Sequence, residues 1–189
     1  MIKIILDEMK GAGFKTNKPT DSGYDVRAIG YSKVQPVFEN ISGMDVVVDG
    51  KILPPVYFDH DGGQNNYVLV MPGDSLLLKT GVRVELPAGV QVDESLAILQ
   101  EIQCRPRSGF SLKMGMNVHL GTIDNEYRGD IGVIITNINK YPIKITAGER
   151  VGQLVFNDII KFEDVAFDVV ENFEIATSRG EAGYGSSGK

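Results

Sequence analysis

Apolar residues in this chain come in short β-branched runs, not at helical spacing. Val46–Val48, Tyr67–Val70, Leu76–Leu78, Val82–Leu86, Ile131–Thr136, Ile143–Ile145 and Val151–Phe156 are such runs, and Gly, Pro, Asn and Asp separate them. Short runs punctuated by turn formers predict strands, and many in series predict a β sandwich or barrel. The residues after Met1, Ile-Lys-Ile-Ile-Leu, read as a first strand. They are too short for a signal peptide and offer no small-residue cleavage site. No internal repeat is present. Asp49-Gly50 and Asp61-Gly62-Gly63 are hairpin-type turns. The segment from Ser32 to Asn66 is therefore expected to be an added β-ribbon or a pair of hairpins.

Residues 179–189 hold four glycines and two serines, too little apolar surface to join a core. The expected organisation is a β domain over 1–178, with the ribbon at about 32–66, and a mobile lid over 179–189. Composition adds limits. The chain has 189 residues, which fits one domain carrying an insertion. Its 42% apolar content is enough for a core, but no apolar run reaches the roughly 18 residues a membrane span needs. The net charge of −6 argues against a general nucleic-acid binder. A single nucleotide remains feasible, because it needs only a local basic cluster and a metal ion. Cys104 is the only cysteine, so no intrachain disulfide or thiolate cluster can form. A reducing, cytoplasmic setting fits this (a host's cytoplasm, if the source is viral). Cys104 itself is expected to be a small core residue.

Several short segments could carry chemistry. Arg105-Pro106-Arg107-Ser108-Gly109 combines guanidinium forks, a hydroxyl and a glycine that opens backbone N–H groups to an anion; an ordinary turn has the same composition. Gly121 to Asp130 contains Asp124, Glu126 and Asp130 between glycines. It reads as a solvated turn, or as a pocket wall whose carboxylate activates water. Asp25, in Ser22-Gly23-Tyr24-Asp25, could be an outer-shell partner of Mg²⁺. In the tail, Arg179, Tyr184 and Ser186 could hold a phosphate and cover a base. His60 and His119 have no partner at metal-ligand spacing and are expected to be structural. No Walker loop and no Gly-x-Gly-x-x-Gly that opens a helix occurs, which removes the commonest nucleotide folds.

The order of these segments matters. Gly23-Tyr24-Asp25 comes first, then Pro106-Arg107-Ser108-Gly109, then Gly121-Thr122-Ile123-Asp124 with Tyr127-Arg128-Gly129. Gly148-Glu149-Arg150-Val151-Gly152-Gln153-Leu154 follows, and Arg179-Gly180 through Gly183-Tyr184-Gly185-Ser186-Ser187-Gly188 ends the series. This resembles the trimeric dUTPase family, whose motifs occur in the same order. The resemblance runs from about Asp21 to Lys189, the Ser32–Asn66 region excepted. It implies an all-β, jelly-roll-like barrel assembled as a homotrimer, with active sites at subunit interfaces. It implies hydrolysis of dUTP to dUMP and pyrophosphate, with Mg²⁺ as cofactor. Asp124 would be the general base. Tyr127 would lie under the deoxyribose. The hairpin from Val118 through Gly121 and Thr122 to Ile123 would read uracil through backbone groups. Arg107, Ser108 and Gly109 would hold phosphates from a second subunit, with Gln153 on the α-phosphate side. Asp25 would contact waters on Mg²⁺. From a third subunit, Arg179 would reach the γ-phosphate and Tyr184 would cover uracil, with Gly185 and Ser186 beside it.

The chain departs from the family in two places. Tyr184 stands where Phe is usual, and the stretch from Asp25 to Arg105 is far longer than the family's. The extra length falls at 32–66, which would brace the trimer or dock another protein. Two competing readings follow. The first is dCTP deaminase, a sister family on the same fold, but Ile134 falls where that enzyme carries glutamate. The second is a nucleotide-sensing regulatory protein, expected only in addition to catalysis.

Overall fold

The structure is a computed structural model, and it describes residues 1–16, 18–59, 63–94, 96–162 and Val170. Strands predominate, as the spacing of the apolar runs predicts. Two six-stranded antiparallel sheets enclose the core in a jelly-roll-like barrel. The first sheet is ordered Val90–Gln91, Leu96–Arg105, Arg150–Phe162, Tyr24–Arg27, Phe14–Lys15, with Gly121–Ile123 also paired to Leu96–Arg105. The second runs Met116–Val118, Gly132–Asn137, Ser75–Lys79, Gly30–Ile41, Met44–Ile52, with Val56–Tyr57 on Gly30–Ile41.

Alternation sets which side chains meet. In Gly132–Asn137, Val133 and Ile135 are fully buried while Ile134 faces out. They join Leu76, Leu78, Met116 and Val118 of the same sheet and Val26, Ile102, Cys104 and Leu154 of the other in one core. Gly23 and Gly152 mark close approaches. A Cβ on Gly23 would lie 2.6 Å from the Leu154 carbonyl oxygen, and one on Gly152 would lie 3.2 Å from the Val133 side chain. Phe14, Tyr24 and Phe156 close one flank, the first two stacked with centroids 4.5 Å apart.

The structure corrects the sequence reading in three places. The ribbon is one hairpin, Gly30–Ile41 against Met44–Ile52, and not a segment reaching Asn66. Its turn is Ser42-Gly43, both at positive φ (54° and 85°), as a tight two-residue hairpin connection requires. Asp49-Gly50 lies inside the second strand, next to a bulge that leaves Val48 without a cross-strand mate. Asp61 and Gly62 fall outside the described residues. Leu96–Arg105, rich in Gln and Glu, was not among the predicted strands, yet it pairs along its full length with Arg150–Phe162. A seven-residue helix, Ser108–Met114, follows it and ends at Gly115, φ 60°. Among the described residues, no helix is long and apolar enough to cross a membrane.

Asn137 is the polar hinge of the core. It is fully buried, and its Nδ2 donates to the carbonyls of Val70 (2.8 Å) and Tyr141 (2.9 Å). Its Oδ1 accepts from the Asn139 backbone N–H at 2.9 Å. Replacing it with Leu strands two carbonyls and an N–H without partners. Asn137→Leu is expected to lower unfolding free energy by roughly 2–4 kcal/mol. Urea denaturation followed by circular dichroism measures this; an unchanged midpoint would show that the hinge holds nothing.

Candidate active site

One pocket is built by register. Gly121–Ile123 pairs with Leu96–Arg105, placing Gly121 opposite Cys104 and Ile123 opposite Ile102. The chain then turns tightly, with the Tyr127 N–H donating to the Asp124 carbonyl at 3.1 Å. Asn125 pins the turn: its Nδ2 donates to the Pro87 carbonyl (3.0 Å) and the Gln100 carbonyl (3.1 Å). The Arg128 Nη1 donates to the Asn125 carbonyl at 2.6 Å. Asp124 and Tyr127 are thereby held on the wall of one cavity of about 240 Å³, with Gly121, Thr122 and Ile123. The Tyr127 hydroxyl donates to the Asp130 carbonyl at 3.0 Å. Gly129 sits under the ring, where any Cβ would collide with it. The Asp130 carboxyl is raised above the ordinary aspartate range by burial, with Lys79 opposing from 3.8 Å.

Five further residues line this cavity, and three of them bear on its chemistry. Cys104 is in the core, as expected, but its edge reaches the pocket, and burial pushes its thiol up to about 11. A thiol so protonated is an apolar wall and not a nucleophile. His119, expected to be merely structural, lines the pocket and holds the Thr136 hydroxyl 2.8 Å from its Nε2. Its position between two residues of the Val118–Ile123 hairpin was the signal for this. Ile134 is the third. The Val118 side chain, by contrast, belongs to the core, so only its backbone can face a ligand.

A second cleft, of about 600 Å³, shares no lining residue with the first. Arg107, Ser108 and Gly109 form its rim at the start of the short helix, with Arg27, Lys113 and Arg150 around them. Glu149 also lines it, so four cationic side chains face one carboxylate there. Asp25 lies behind them, only 6% exposed. Its Oδ1 accepts from Arg107 Nε at 2.7 Å and its Oδ2 from Arg150 Nη1 at 3.1 Å. The Arg27 Nη1 donates to the Gly148 carbonyl at 2.6 Å. Gln153 is the cross-strand neighbour of both Asp25 and Arg105, beside this cleft. Arg150 and Arg27 were not singled out from the sequence. Arg150 could have been, since its segment was quoted and a buried Asp25 requires a cationic partner. Arg179, Tyr184, Gly185 and Ser186 lie outside the described residues.

An antiparallel β barrel with a small pocket carrying a carboxylate and a tyrosine, and a separate cationic cleft, has the features of a protein that takes an anionic small molecule. A family model for dUTPase matches residues 64–188, and the chain belongs to the dUTPase family. It is 35% identical over 150 residues to the deoxyuridine 5′-triphosphate nucleotidohydrolase of Thermoanaerobacter sp., covering 74% of this chain and 92% of that one. It is 39% identical over 127 residues to the enzyme of that name from Hydrogenobaculum sp., covering 66% and 78%. The fold is that of the Staphylococcus bacteriophage 80alpha dUTPase solved with dUPNHPP: TM-score 0.64, 23% identity, 100% of this chain and 99% of that chain covered. A dUTPase from phage phi11 of S. aureus, described with a structural Mg(II) ion, aligns with TM-score 0.61 at 20% identity, over 93% and 99%.

The arginine pair on Asp25 generates a test. Asp25→Asn removes the charge that both guanidinium groups share while nearly preserving shape. With Arg107 and Arg150 partly solvated, the loss is expected at about 1–3 kcal/mol of stability. A thermal midpoint equal to wild type would mean the ion pairs contribute nothing.

Proposed function

We propose that this chain hydrolyses dUTP to dUMP and pyrophosphate by attack of water on the α-phosphorus. The observation that carries the reading is the pinned turn, which fixes Asp124 and Tyr127 on one wall of a pocket sized for a base and sugar. Uracil would lie along the Gly121–Ile123 backbone, whose N–H and C=O groups can match its edge. Tyr127 would pack under the deoxyribose and leave no room for a 2′-hydroxyl. Asp124 would hold the attacking water and take its proton. The triphosphate would need the cationic cleft of Arg107, Ser108 and Gly109, with Gln153 near the α-phosphate. The two pockets share no lining residue within one chain, and the family resemblance supplies a homotrimer in which one subunit's cleft would serve its neighbour's pocket. The tail, through Arg179 and Tyr184 with Gly185 and Ser186, would close the site from a third subunit.

Mg²⁺ suits this donor set in one way. Among the described residues, no three His, Cys, Asp or Glu side chains form a metal cage. By the family resemblance, the ion would take its direct ligands from the triphosphate, with Asp25, itself held by Arg107 and Arg150, reaching it through water. Bound there, it would neutralise charge on the phosphates. The deaminase reading is disfavoured by Ile134, an apolar side chain in the pocket wall where a carboxylate would have to shuttle protons.

Pyrophosphate release across dUTP, dTTP, dCTP and UTP tests the whole reading. Activity is expected with dUTP and Mg²⁺, and none after EDTA; comparable turnover of UTP, or ammonia release from dCTP, would overturn it. Asp124→Asn is expected to keep nucleotide binding and slow turnover by roughly 10² to 10⁴. Near-normal rates would remove Asp124 from the base's role. Removing residues 179–189 is expected to slow turnover far more than it weakens dUTP binding, with no change in thermal midpoint. Unchanged kinetics would exclude a lid.

A further inference from the structure

Every residue from Lys33 to Ile52 is exposed, and beyond Lys33, which still pairs with Leu76, the two ribbon strands pair with each other. The ribbon also lies outside the residues that match the dUTPase family model. Cross-strand mates share a face, so the pairing sorts its side chains. Val34 with Ile52, Pro36 with Gly50, and Phe38 with Val47 occupy one face. Asn40 and Asp45 end that face at the tip, where their side chains bond at 3.0 Å. Gln35, Lys51, Asp49 and Glu39 occupy the other face, among Val37, Val46, Ile41 and Met44. Val34 is 43% exposed, Phe38 56%, Val47 56% and Ile52 59%.

Two strands alone are marginal in water, and a bare apolar face adds to the difficulty. Something must cover this one. Its size limits what. Seven residues of strand at about 3.3 Å each, roughly 10 Å wide, give a face of roughly 230 Å². A stable complex between separate proteins buries about 800 Å² on each partner. The face is therefore too small to hold an independent partner by itself. It suits a partner already held by other contacts, and the homotrimer supplies one.

We infer that the ribbon is a strap that each subunit lays, apolar face down, on a second copy of the chain. The chain carries a matching surface. Met71, Ile138 and Tyr141 are exposed (48%, 70% and 60%) and cluster around the Asn137 hinge, whose side chain bonds the carbonyls of Val70 and Tyr141. The ribbon leaves the barrel at this same end: its last contact with Ser75–Lys79 is Lys33 opposite Leu76, beside the Met71–Asp74 turn. Apolar surface is thus present on both sides of the contact, and both sides belong to one chain. The inference rests on the trimeric reading above and adds to it the element that laces the subunits together.

Cysteine labelling tests it cleanly, because the one native cysteine is 3% exposed. Phe38→Cys and Val47→Cys report the apolar face, and Val37→Cys reports the opposite face. Thiol-reagent rates are measured on the assembled protein, with the mass read by light scattering. With a trimer mass, the first two are expected to react at least about ten-fold more slowly than Val37→Cys, and the gap closes in denaturant. Equal rates at a trimer mass overturn the strap while leaving the trimer intact, and would make the face available to a different protein. A monomer mass overturns the trimer and the strap together. Two variants on the protected face guard against one of them misfolding.

Discussion

The antiparallel ladder between Leu96–Arg105 and Arg150–Phe162 is the constraint on which the rest of the molecule depends. On one side it carries Gly121–Ile123, and through that strand the turn bearing Asp124 and Tyr127. On the other it carries Tyr24–Arg27, and so the buried Asp25. Arg107 follows two residues beyond the ladder's end and reaches back to Asp25 across the sheet. The ladder's inward side chains, Ile102, Cys104 and Leu154, are core residues. Packing and site geometry are thus set by one register. A slip of one residue would turn Gln103 inward and move both pockets at once.

Charge is handled locally. A chain of net charge −6 presents a cleft with four cationic side chains, and two of these are held in place by a single buried carboxylate. Burying a charge is unfavourable unless it is paired, and Asp25 is paired on both oxygens. The result is a set of guanidinium groups already oriented before any anion arrives, which is how binding avoids ordering flexible side chains.

The β-branched runs made the class of fold legible, because strand alternation and turn residues are local signals. Tyr67–Val70 and Gly132–Asn137 follow directly from such runs. Leu96–Arg105 was illegible for a physical reason: its outward residues Glu101, Gln103 and Arg105 bond one another along the strand face, and none of them looks like a strand former. The Ser42-Gly43 turn was overlooked in favour of Asp49-Gly50, which has the better turn composition but stands beside a bulge. In the candidate site, the order of motifs pointed to Asp124 and Tyr127, which line the pocket, and to Arg107, which lines the cleft. Asn125 was not legible, because its role comes from contacts with Pro87 and Gln100, distant in sequence, that no local pattern encodes.

The ladder also bears on how the molecule is made. Its two strands are separated by the whole segment that contains the helix, the hairpin and the Asp124 turn, so the chain must close a long loop before the ladder gains a single hydrogen bond. Closing such loops is slow, and sheets built from distant strands fold late. Until that closure, Asp25 and Arg150 are not brought to Arg107, whereas the pinned turn already has Leu96–Arg105 and Pro87 to lean on. A nascent chain of this protein therefore completes its cationic cleft only once that long loop has closed.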